Sequence, residues 1–96
     1  MPENIRIVEP PGACRVRLLR ERGFSVPRRV RKALGLKPRE LLLLYINIGA
    51  KMYYVYVHIS VHKRIHIPID TWRGLGLVAG QELDVNITRP EATGKI

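Results

Sequence analysis

A stretch of this chain recurs 41 residues later, and no other feature limits its fold as much. Residues 24–46 read FSVPRRVRKALGLKPRELLLLYI, and residues 65–87 read IHIPIDTWRGLGLVAGQELDVNI. Aligned without a gap, Pro27 falls on Pro68, Leu34-Gly35-Leu36 on Leu75-Gly76-Leu77, Leu42 on Leu83 and Ile46 on Ile87. Six of the 23 positions are identical, and most of the rest keep the apolar or polar character a core would demand. The correspondence extends back to Val16/Val57 and Leu18/Ile59. With 96 residues in all, neither half can bury enough surface to fold alone. The duplication therefore predicts one domain over residues 1–96, made of two half-domains around a shared core.

Hydrophobic spacing supplies the elements. Residues 14–19 alternate, with Val16 and Leu18 on one face and Arg15 and Arg17 on the other, as in a half-buried strand. Phe24–Val26 reads as a second, short strand. Pro27 suits the opening of a helix over 28–34, and Gly35 suits a left-handed cap at its end. Residues 40–48 then place Leu42, Leu44, Ile46 and Ile48 on one face of a strand. The second copy repeats the plan. It has a strand over 53–61 with Val55, Val57, Ile59 and Val61 inward, a short strand at Ile65–Ile67, a helix over 69–75 and a last strand over 82–88. The unit is β-β-α-β, occurring over about 14–48 and again over about 53–88. Residues 1–13, with Pro2, Pro10, Pro11 and Gly12, read as an arm carrying a short strand at Ile5–Val8. Residues 89–96 read as a flexible tail.

The net charge is +9, and it is uneven. Residues 1–48 hold eleven Lys and Arg against four Asp and Glu, whereas residues 49–96 hold six against four. A surplus of this size points to a polyanionic partner, centred on the first copy. In that half Arg outnumbers Lys nine to two, and the planar guanidinium fork pairs bidentately with phosphate and guanine. Arg15, Arg17 and Arg22 fall on an outward strand face and its turn, and Arg28, Arg29, Arg31 and Lys32 fall on the short helix that follows.

Other features point elsewhere. Leu41, Leu43 and Tyr45 lie on the outward face of the first copy's last strand, where the second copy has Glu82, Asp84 and Asn86. Such a stripe needs a cover. Either the arm residues Ile5, Ile7 and Val8 supply it, or it forms a homodimer or protein-partner interface that Tyr54 and Tyr56 extend. Trp72, on the second helix, is either an anchor for a partner or part of the core. His58, His62 and His66 recur every four residues but fall on strands and a turn, so no metal site is expected. Cys14 is the single cysteine, which excludes an intramolecular disulfide. No acid/base pair, nucleophile–base set or phosphate-cradling glycine loop is present, so no enzyme activity and no cofactor are expected. No apolar run approaches the roughly 18–20 residues of a membrane span, and the default expectation is a cytoplasmic protein without a membrane partner.

The strings Val26-Pro27-Arg28-Arg29-Val30-Arg31-Lys32-Ala33-Leu34-Gly35-Leu36 and Ile67-Pro68-Ile69-Asp70-Thr71-Trp72-Arg73-Gly74-Leu75-Gly76-Leu77 resemble the signature of AbrB-like (SpoVT-AbrB type) transition-state regulators and MazE-type antitoxins. The likeness covers roughly 15–48 and 56–88. It implies an α+β, mostly β fold: a six-stranded cradle-loop barrel with pseudo-twofold symmetry, either swapped-hairpin, RIFT or double-psi. It also implies binding of double-stranded DNA in transcription regulation, through basic residues at turns and helix starts. Carried over by position, Arg31 and Lys32 match the paired basic residues after the proline. Arg73 matches the second of that pair while Trp72 replaces the first, and Arg64 matches the basic residue of the turn. Arg39 stands where the resembled pattern has glycine. The expected DNA-binding set is thus Arg15, Arg17, Arg22, Arg28, Arg29, Arg31, Lys32, Arg64 and Arg73. The competing expectation is a non-enzymatic protein–protein interaction barrel. A third, weaker for want of exposed aromatics, is RNA binding.

Overall fold

The computed structural model describes residues 10–90. In chain order its elements are β1 (Ala13–Arg17), β2 (Gly23–Ser25), α1 (Arg28–Leu34), β3 (Leu41–Ile48), β4 (Lys51–His58), β5 (Arg64–His66), α2 (Ile69–Gly74) and β6 (Glu82–Thr88). The protein is α+β and mostly β, and the β-β-α-β order occurs twice. The arm strand expected at Ile5–Val8 lies outside the described residues, as do residues 91–96 of the tail.

The strands form two antiparallel sheets. One has four strands in the order β1-β6-β3-β4, and the other pairs β2 with β5. Their registers carry the duplication into three dimensions. Val16 pairs with Leu83 and Cys14 with Val85 across β1–β6. Across β3–β4, Val57 pairs with Leu42 and Val55 with Leu44, which are the same pairs moved by 41 residues in each partner. Across β3–β6 Tyr45 faces Asn86, and across β2–β5 Phe24 faces Ile65. Both of these pairs join residues 41 apart, so the pseudo-twofold relating the two copies passes through them.

The core follows the same rule. Among the described residues, sixteen apolar ones are buried. Fourteen of them are the seven pairs Val16/Val57, Leu18/Ile59, Phe24/Ile65, Val26/Ile67, Leu42/Leu83, Leu44/Val85 and Ile46/Ile87. Val30 and Leu77 complete the set, against Thr71 and Leu36, which are half-buried. Both helices are too short to persist alone and are held by this packing. Pro27 and Pro68 stand at their N-caps with φ −58° and −55°. Gly35 and Gly76 take φ 61° and 66° just past the helices, the left-handed conformation that a side chain disfavours. Gly12 has a different role. The Ile87 N–H donates to its carbonyl at 2.9 Å, and a Cβ there would lie 1.8 Å from the Ile87 oxygen, so only glycine lets β1 approach β6.

The six strands do not close into a barrel. β1 and β4 are the outer strands of the four-stranded sheet, and the β2–β5 ribbon is bridged to β4 at Ile59–Ile65. The cause lies in two turns. The chain bends sharply after Leu18 and again after Ile59, with Arg22 and Lys63 in the left-handed region at φ 62° and 63°. Leu19 N–H donates to Gly23 O at 2.7 Å and Ser60 N–H to Arg64 O at 2.8 Å. These turns end the long strands and start the separate ribbon. They also correct the inward position expected for Val61, which lies in the second turn and is half exposed.

Candidate nucleic-acid interface

The cations expected to touch DNA divide by the partners they already have. Arg15 and Arg17 stand on the outer face of β1, across from acidic residues of β6. Arg15 bonds Glu82 at 3.0 Å and Asp84 at 2.9 Å, and Arg17 bonds Glu82 at 3.1 Å. The hydrogen bond from Arg15, with the charge of Arg17 behind it, holds the Glu82 carboxyl below its usual range. On this half of the sheet, charge is balanced locally. Arg64 is likewise tied to Glu21, at 3.1 Å.

The α1 cations differ. Arg28 and Lys32 are exposed. Arg29 donates to the Ala13 carbonyl at 3.3 Å, and Arg31 donates through Nε to the Val26 carbonyl at 3.2 Å, so both are oriented by neutral acceptors, which do not offset their charge. Arg73 is exposed on α2. Arg22 is half-buried in the β1–β2 turn, where its carbonyl accepts from Ile67 N–H at 2.8 Å. Among the described residues, none of Arg22, Arg28, Arg29, Arg31, Lys32 or Arg73 has a carboxylate within ion-pair distance.

Two cations outside the expected set join α1. A cleft of about 290 Å³ opens between the end of α1, the α1–β3 loop and the β4–β5 turn. Arg31, Lys32, Lys37 and Lys63 line it, with Leu36 and Ile59 among its apolar wall. Lys63 was legible: at the strict offset of 41 it is the mate of Arg22, and both residues take the same left-handed turn position. Lys37 has no such signal, because its counterpart is Val78. Beside the cleft, Arg89 pairs with Glu40 and donates to the Gly35 carbonyl at 3.1 Å. The hydrogen bond from Arg89, then that from the Lys37 backbone N–H, pulls the Glu40 carboxyl below its usual range. Arg89 is thus anchored, although the sequence pattern places it in a tail.

The apolar stripe is real and wider than expected. Leu41 is exposed, and Leu43 and Tyr45 are half-buried. Across the β3–β4 register they meet His58, Tyr56 and Tyr54, and Asn47 meets Met52. Tyr54 is 67% exposed and Met52 62%. The Tyr45 and Tyr54 rings are 6.3 Å apart, and Tyr54 and Tyr56 meet edge-on at 6.4 Å. Trp72 is half-buried and packs against the core. His58 pairs with Leu41 and His66 with Gly23, and no group of three metal-ligating side chains occurs among the described residues. Burial pushes the Cys14 thiol up, against the pull of Arg29, which keeps it protonated at neutral pH. Among the described residues no helix is long and apolar enough to cross a membrane.

No family model and no curated protein matches this chain. A solved structure does match it. The chain is similar to the solution structure of PHS018 from Pyrococcus horikoshii, with a TM-score of 0.69 over 88% of this chain and 99% of that one, at 14% sequence identity. At that identity the likeness shows a shared fold alone.

Proposed function

We propose that this chain binds double-stranded DNA as a small cytoplasmic regulator or antitoxin-like module of the AbrB-like kind, its two sheets being an opened variant of the cradle-loop barrel plan. The observation that carries the reading is the set of cations on α1, Arg28, Arg29, Arg31 and Lys32, none of which is neutralised by a carboxylate among the described residues. Arg22 and Arg73 extend this set. Arg15, Arg17 and Arg64 contribute only by exchanging a carboxylate for a phosphate, which places them second. Most contacts would be to phosphates, which position the protein, with the turn residues nearer to base edges.

Anisotropy of a labelled 30-base-pair duplex at three salt concentrations tests the proposal. Six phosphate contacts imply a fall in affinity of about 10³-fold between 50 and 200 mM salt. Absence of binding at the lowest salt would overturn it. The exposed Leu41, Met52, Tyr54 and Tyr56 favour a second reading, a barrel-like module for protein–protein contact or a homodimer. A mass in solution that stays monomeric at high protein concentration would count against the homodimer.

A further inference from the structure

The cleft lined by Arg31, Lys32, Lys37 and Lys63 gathers four positive side chains around an apolar wall. Its three segments are held by backbone hydrogen bonds. Arg39 N–H donates to Ile59 O at 2.7 Å, Ile59 N–H to Glu40 O at 3.1 Å, and Lys63 N–H to Ser60 O at 3.0 Å. The segments that carry these cations are therefore held in place without a loop having to order. None of the four has a carboxylate partner among the described residues, and Glu40, the acid beside Lys37, is engaged by Arg89. Like charges held beside apolar groups repel one another, and a bound anion reverses the sign of that interaction.

The geometry points to a binding site for a linear chain of two or three phosphoryl groups. Four cations exceed what one orthophosphate can neutralise. The cleft, at about 290 Å³, has room for such a chain. The other copy lacks the site. The positions of Arg31, Lys32, Lys37 and Lys63 are held there by Trp72, Arg73, Val78 and Arg22, so only two cations remain. This assignment does not rest on the DNA reading, although Arg31 and Lys32 belong to both.

Titration calorimetry at 150 mM salt with tripolyphosphate, pyrophosphate, ATP and orthophosphate tests the assignment. Tripolyphosphate is expected to bind one per chain, at least tenfold tighter than orthophosphate. The double variant Lys37→Gln/Lys63→Gln should weaken it at least tenfold. Both side chains are exposed, so the variant should keep its melting temperature. The variant Arg20→Gln/Lys51→Gln removes the same charge elsewhere and should bind within about threefold of the parent. ATP binding as tightly as tripolyphosphate makes the source a nucleotide, and tripolyphosphate binding alone makes it the inorganic chain; either result upholds the site. No saturable binding, or equal losses in the two double variants, would overturn it. The labelled duplex is titrated on the same samples, so failure of the DNA reading leaves a separate result for the cleft.

Discussion

The two copies of the β-β-α-β unit share a backbone and a core but not a surface. Their turns take matching left-handed positions at Arg22 and Lys63, at Gly35 and Gly76, and at Arg39 and Gly80. Their loops close alike as well: Lys37 N–H donates to the Glu40 side chain and Val78 N–H to that of Gln81, both at 3.0 Å. Outside the core the copies diverge. The first carries the α1 cations, which have no carboxylate partner among the described residues, and three of the four cations of the cleft, which Lys63 of the second completes. Its outer strand β1 is short and neutralised by β6, whereas β4, the mate of β1, is longer and presents Met52, Tyr54 and Tyr56. Charge is one common way of keeping a sheet edge from pairing with another chain, and β1 carries it at Arg15 and Arg17 where β4 has Lys51 at its start and apolar or aromatic residues after it. Selection for a shared core restrains only the inward positions, and the outward ones are left to take on separate roles.

That comparison can be broken at several levels. The largest effect is expected in the core. Ile46→Ala and Ile87→Ala should each cost about 2–5 kcal/mol, because both side chains are fully buried. Urea unfolding should give values that agree to within about 1 kcal/mol, and a wide split would mean that the two halves do not share one symmetric core. Next comes the surface. Replacing Arg31 and Lys32 together should weaken duplex binding about tenfold or more, which is roughly 1.4 kcal/mol, and flatten the salt slope by nearly two. Replacing Arg73 alone should do less, and equal losses would mean that the copies bind DNA symmetrically.

The caps offer a sharper and smaller probe. A Cβ added at Gly35 or Gly76 meets nothing within 4 Å, so Gly35→Ala and Gly76→Ala should each cost about 1–2 kcal/mol from the backbone alone. Thermal melts should rank the two equally; a loss at only one would point to packing rather than conformation. The smallest effect concerns pH. Glu82 and Glu40 have folded-state pKa values below their unfolded ones. Their ion pairs therefore stabilise the fold above the ordinary carboxylate range near pH 4.3, and that contribution fades as pH falls through the lowered values. Glu82→Gln should make the melting temperature less sensitive to pH below about 4. Since the pairs are exposed, the shift should be slight, and an unchanged acid profile would mean that Arg15 and Arg17 are available to other anions.

Much of the fold was legible because its causes are local. The helix expected over 28–34 and the strand over 82–88 keep those bounds, since proline, glycine and two-residue alternation act within a few residues. The error at Val61 has the opposite origin. Its apolar side chain continues the alternation of β4, but the left-handed turn at Lys63 ends the strand first. The site was less legible. Four of the nine expected cations lie on α1 as read. Arg15 and Arg17 find their acids 65–69 residues away, beyond any local pattern.

The sequence by itself determined the duplicated unit, its inward faces and its turns, because periodicity and backbone preference are properties of short stretches. Tertiary structure alone decided that the strands part into sheets of four and two, which arginines are spent on carboxylates, and that Lys37 and Lys63 meet α1 in one cleft. Those outcomes depend on register between distant strands, and charge is balanced or left over only when that register brings the groups together.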